Sequence, residues 1–124
     1  MASEAWTRDL AVLEAARRDW LIVRTSWTKF FGGRPFTYDL FGDAKAKPKV
    51  KGIDMLCVDS KFTFYGIQFT GDSDKPGGNF TNRVKWCRNN RKLMAFAARG
   101  LQVRVWHFRI EGSTPKLKEE VIRP

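Results

Sequence analysis

The stretch from Gly52 to Thr70, GIDMLCVDSKFTFYGIQFT, decides how this chain is read. Two β-prone runs, Ile53 to Val58 and Phe62 to Thr70, flank a polar turn at Asp59-Ser60-Lys61, the pattern of a hairpin. Side chains alternate along a strand, so Phe62, Phe64, Gly66, Gln68 and Thr70 share one face of the second run. Asp54 shares a face with Leu56 and Val58 of the first. It is a lone acid at the edge of an apolar strand. Burying it would require a metal, a cation or several donors, whereas capping the turn after Gly52 accounts for it equally well.

Upstream, residues 3–19 have helical spacing, with Ser3 as N-cap and Trp6, Leu10, Leu13 and Arg17 along one stripe. Trp20 to Phe30 (WLIVRTSWTKF) reads as one strand, broken by Gly32, Gly33 and Pro35. Asp43 to Lys51 carries four lysines and a proline in nine residues, which predicts an exposed basic loop insert (43–51) at the top of a wide hairpin. Downstream, a helix from Phe80 to Arg99 ends at Gly100, with Asn79 or Thr81 as its cap. Leu101 to Ile110 (LQVRVWHFRI) is a strand, and 112–124 is a polar C-terminal tail ending in a short helix. The order α-β-β-β-α-β predicts an α/β fold of restriction-endonuclease-like arrangement, a mixed sheet flanked by helices, in a single domain over 1–124.

The chain has a net charge of +10 over 124 residues and is 43% apolar, enough for one core. Such a field attracts polyanions, and the expected partner is DNA. An acidic protein partner satisfies the same charge. No apolar run reaches the length of a membrane span, and MASEAWTRDL lacks the layout of a signal peptide, so the expectation is a cytoplasmic protein with no membrane partner. Cys57 and Cys87 have no metal-ligand spacing and read as small buried hydrophobes. His107 alternates with Val103 and Val105 and reads as a partly buried imidazole. Trp27, Phe30 and Phe31, near the Gly-Gly turn, offer a stacking platform for single strands.

The helix carries a second signal. Trp86, Cys87, Asn90, Leu93, Met94 and Ala97 form its apolar face, and Arg83 lies within that face at the first turn. An arginine aimed at a sheet needs an anion, which Asp54 or a substrate phosphate would supply. Lys85, Arg88, Lys92 and Arg99 line the opposite face. Together with Lys45, Lys47, Lys49 and Lys51 of the insert, Lys85, Arg88 and Lys92 are candidate phosphate contacts; a plainly solvated surface is the competing reading.

The order DLFG (Asp39 to Gly42), GIDMLCVD, GIQFTGDS, NRVK (Asn82 to Lys85) and LQVRVWHFR resembles the small phage-encoded, Holliday-junction-resolvase-like nucleases of the PD-(D/E)XK superfamily, over roughly Asp39 to Arg109. The resemblance implies a metal-dependent endonuclease acting on branched or structured DNA in the infected host cell, with a homodimer to cut two strands. It places Asp54 at the metal-binding aspartate, Gln68 at the glutamate and Thr70 at the lysine, with Arg83 as a relocated basic group. Mg²⁺ or Mn²⁺ would be held by Asp54, Gln68 and the carbonyl of Phe69. The lysine insert separates DLFG from GIDM, and VRTSW offers no upstream glutamate. Glu14, Asp72, Asp74 or Asp39 could replace that carboxylate. The same substitutions would equally suit a nuclease-fold module that binds without cutting.

Overall fold

The computed structural model describes residues 4–43, 45, 47, 50–71 and 79–124. Along the chain these form α1 (Glu4–Arg17), β1 (Leu21–Thr25), β2 (Trp27–Phe31), β3 (Arg34–Tyr38), β4 (Met55–Val58), β5 (Phe64–Gly71), α2 (Asn79–Asn89), α3 (Arg91–Ala98), β6 (Gln102–Glu111) and β7 (Thr114–Ile122). Five strands build one mixed sheet in the order β1-β4-β5-β6-β7, and β2 and β3 form a separate hairpin. Only the β5–β6 pairing in the large sheet is parallel. That pairing follows from the crossover through α2 and α3, which returns the chain to the same edge.

Period-two alternation sorts the core into two layers. Met55, Cys57, Ile67, Phe69, Trp106 and Phe108 pack with Ala11, Ala15 and Trp20, so α1 covers this face. Val103, Val105 and Ile122 pack with Val84, Cys87, Leu93 and Ala97, so α2 and α3 cover the other. Asp19 adopts a left-handed φ of 61° after α1. Its N–H and that of Trp20 bond back to Ala16 and Ala15, which ends the helix and tucks Trp20 against Tyr65 at 3.8 Å.

The single strand expected over Trp20 to Phe30 is two strands. Buried Ser26 donates its N–H to the Asp54 carbonyl at 2.6 Å, and the chain then leaves the sheet for the β2–β3 hairpin. That hairpin turns on Gly32 and Gly33, with φ of 55° and 79°, the paired positive values of a two-residue turn that glycine accommodates best. The helix expected over Phe80 to Arg99 is also two elements. Asn90 is extended (φ −84°, ψ 99°) and caps α3 instead of extending one apolar face.

The tail expected to end in a helix is strand β7, paired with β6 from Val103↔Ile122 to Glu111↔Thr114. Its Lys and Glu residues favour a helix locally, but a nine-residue ladder with β6 outweighs that preference. The insert closes as expected, through the bridges Leu40↔Ile53 and Asp43↔Val50. Gly52 is required there, because a Cβ on it would stand 2.0 Å from the Leu40 carbonyl oxygen.

One ionic cluster ties α1 to β7. Glu119 accepts from Trp106 Nε1 at 2.6 Å and Arg18 Nη1 at 2.8 Å, with Arg104 at 3.6 Å. Burial opposes its charge, but the Trp106 donor and the two arginines outweigh burial and hold its carboxyl below the ordinary 4.5. A depressed carboxylate contributes stability that is present above its unfolded pKa and lost as pH falls through the folded one. Glu119→Gln should therefore flatten the acid limb of a thermal-stability profile below about pH 5. An unchanged acid limb would refute this role.

Candidate functional site

Asp54 lies directly before β4, and its N–H bonds to the Ile67 carbonyl at 2.8 Å. With Met55 opposite Ile67, the register sets Asp54 opposite Gln68, so both side chains share the face covered by α2. The half-buried Asp54 carboxylate accepts the Phe69 N–H at 3.0 Å through Oδ2, and Ser26 Oγ lies 3.5 Å from Oδ1. Phe69 lies two residues after Ile67, so its carbonyl faces the same edge of β5 as Asp54.

Gln68 is buried, with both ends of its amide engaged. Its Nε2 donates to the Gly52 carbonyl at 2.5 Å, and its Oε1 accepts from Arg83 Nη1 at 2.6 Å. Arg83 thus points at the sheet as its position in the helix predicts, but its partner is the Gln68 amide. No acceptor among the described residues meets its buried Nε. Trp86, one turn on, lies 5.4 Å from the Arg83 guanidinium and 5.6 Å from Lys51 Nζ. Thr70 is also buried on this face and pairs in register with His107, which is buried and 6.1 Å from the Phe80 ring.

The structure therefore brings Asp54, Phe69, Gln68 and Arg83 into one junction at the ends of β4 and β5, with Thr70 and His107 beside it. Cys87 packs beneath. Burial foremost, and then the negative charge of Asp54, push its thiol up to about 12, while Arg83 pulls the other way. Burial likewise raises Cys57 to about 11, so neither thiol is a nucleophile at neutral pH. Glu14 is elsewhere, bonded to Arg17 and Arg18 on α1. Asp39 accepts the Gly52 N–H at 3.3 Å, the turn-capping role. Asp72, Asp74, Lys49 and Ser3 lie outside the described residues, as do the side chains of Trp27, Phe30 and Phe31. Lys45, Lys47, Lys51, Lys85, Arg88 and Lys92 are all exposed, and Arg88 reaches Glu120 at 4.0 Å.

Two participants had no legible signal in the sequence. Ser26 is one serine in a β-prone run. Asn90 reads as part of a helical stripe, yet it is the buried link between α3 and the insert, donating to the Phe41 and Lys51 carbonyls at 3.0 and 2.8 Å.

Among the described residues no group of three or more His, Cys, Asp or Glu converges on a metal position. One carboxylate and one carbonyl edge fit Mg²⁺ or Mn²⁺ in the way Mg²⁺ is often held, by one or two carboxylates with substrate phosphate and water completing the shell. Gln68 could join only by exchanging its bond to Arg83. No helix among the described residues is long and apolar enough to cross a membrane. Compared with family models, curated proteins and solved structures, the chain matches none of them.

Proposed function

We propose that this chain is a DNA endonuclease of restriction-endonuclease-like architecture, hydrolysing phosphodiesters in branched or structured DNA with Mg²⁺ or Mn²⁺ at Asp54. The supporting observation is the junction itself: Asp54 at the start of one strand, opposite Gln68 on its antiparallel neighbour, with Arg83 reaching Gln68 from the following helix. Setting aside the β2–β3 hairpin and β7, the elements α1, β1, β4, β5, α2–α3, β6 run in the order α-β-β-β-α-β, which supports this reading.

Each residue then has a task. Asp54 presents a hard oxygen ligand, held in place by the Phe69 N–H. Gln68 positions Arg83, whose guanidinium keeps donors to spare for a phosphate oxygen. A divalent ion bound there would polarise the phosphoryl oxygen and lower the pKa of an attacking water. The exposed lysines add a salt-sensitive grip on the backbone.

The two-ended clamp on Gln68 favours a second reading, binding without cleavage. Incubating the protein with duplex, flap and four-way DNA in Mg²⁺ or Mn²⁺, alongside calorimetric Mn²⁺ titration, separates the two. Metal-dependent cutting of branched substrates is the expected result. Tight, salt-sensitive binding with neither metal uptake nor cutting selects the second reading. Arg83→Ala should slow cleavage about a hundredfold with little change in DNA affinity, because it removes transition-state stabilisation and only one of many phosphate contacts. Lys92→Ala should weaken binding modestly and spare the chemical step. Equal losses of cleavage in both variants at saturating protein would remove Arg83 from the mechanism.

A further inference from the structure

The turn between β4 and β5 is held more firmly than a hairpin needs. Asp59 Oδ1 accepts the N–H groups of Lys61 and Thr63, both at 2.9 Å, and Oδ2 accepts the Tyr65 hydroxyl at 2.9 Å. The Asp59 carbonyl takes the Phe62 N–H at 3.2 Å, and the Asp59 N–H reaches the Thr63 carbonyl at 3.0 Å. The outcome is Phe62 at φ 62°, in the left-handed region that bulky side chains avoid, with 80% of the residue exposed. Such a left-handed position is usual at the end of a short hairpin loop, but an aromatic ring placed there with so little packing points to a contact residue.

Phe62 stands at the rim of a groove of about 460 Å³, a size suited to a small planar ligand. Phe41, Phe64, Phe96 and Leu101 line it, and Phe64 and Phe96 are 40% and 44% exposed. Arg99 is its only charged lining residue among the described residues, and Lys61 is exposed in the adjacent turn. The Asp59 carboxylate in that turn already accepts three hydrogen bonds within the hairpin. A second copy of the chain would bring another +10 to this basic rim. Aromatic faces flanked by cations match the bases and phosphates of an unpaired nucleic-acid strand.

We propose that this groove receives an unstacked base of the DNA, with Phe62 against its face and Arg99 and Lys61 serving the flanking phosphates. This rests on the reading above that the chain binds DNA, but not on whether it cuts. Phe64 and Gln68 share one face of β5 four residues apart, roughly 13 Å. That is about the length of four stacked nucleotides. Because Gly66 and Gln68 between them are buried, a strand must pass around the protein surface, so a base seated in the groove would lie at least a few nucleotides from a phosphate at Asp54, and the feature recognised is an unpaired nucleotide near a branch or flap.

The test uses the full chain in EDTA with flap and duplex DNA, the flap carrying 2-aminopurine at successive unpaired positions. Wild type should change the fluorescence at one or two positions near the branch. Phe62→Gly should abolish that change and weaken flap binding at least about fivefold, leaving duplex affinity as it was. Glycine suits a left-handed φ, so this variant should melt no lower than wild type, and the loss cannot be ascribed to unfolding. Phe96→Ala should reproduce the fluorescence effect. Equal flap binding and fluorescence in Phe62→Gly and wild type would overturn the base site while leaving DNA binding intact. Absence of binding to any DNA at low salt would overturn both readings. A wild-type dimer that Phe62→Gly dissolves would assign the groove to a protein partner instead.

Discussion

Asp54→Asn should reduce metal-dependent cleavage about a thousandfold or more and leave the fold intact. The asparagine amide oxygen can still accept the Phe69 N–H that the carboxylate accepts at 3.0 Å, so the junction between the strand ends keeps its hydrogen bond. The negative charge is lost. A divalent ion supplies several kcal/mol of transition-state stabilisation, and a tenfold rate change corresponds to about 1.4 kcal/mol, so losing the only carboxylate ligand among the described residues costs at least about three powers of ten. Melting temperature should stay close to wild type, and DNA affinity in EDTA should stay level or rise slightly, since a negative charge facing phosphates has gone. Cleavage that survives Asp54→Asn would move the chemistry to another place on the molecule.

The largest expected effect on stability is at Asn90. The residue is 1% exposed and fills three roles. Its Oδ1 accepts the Leu93 N–H at 2.9 Å and starts α3, while its Nδ2 satisfies the Phe41 and Lys51 carbonyls. Asn90→Ala removes a helix cap, worth about 1 kcal/mol. It also removes the donor from two part-buried carbonyls, at about 1 kcal/mol each. Together the loss should be about 2 to 3 kcal/mol by denaturant titration. Asn90→Ser can keep the cap but not the two donations, so it should recover only about 1 kcal/mol. A loss below about 1 kcal/mol for Asn90→Ala would mean that water replaces those bonds.

Much of the architecture could be read locally. The hairpin expected over Ile53–Val58 and Phe62–Thr70 is β4 and β5, except that Phe62, expected on the strand, stands in the turn at φ 62° because Asp59 holds that turn through residue 63. The strand expected at Leu101 to Ile110 is β6, and Gly100 ends the helix before it with a φ of 112°. The sheet-facing side of Arg83 also followed from helical spacing alone. In each case the decisive neighbours lie within a few residues, where propensity and periodicity act.

What the sequence did not disclose depends on partners far along the chain. Ser26 breaks a β-prone run because it meets Asp54, 28 residues later. Asn90 interrupts a helical stripe because carbonyls 49 and 39 residues earlier need its amide. β7 forms from a helix-favouring segment because β6 offers it a complete ladder. The site follows the same division. Strand position selected Asp54, helical spacing selected Arg83 and the family resemblance selected Gln68 as candidates, but only the tertiary structure decided that Gln68 would be clamped between Gly52 and Arg83. A side chain with both a donor and an acceptor takes whichever partners the fold brings within 3 Å, and residue order does not specify them.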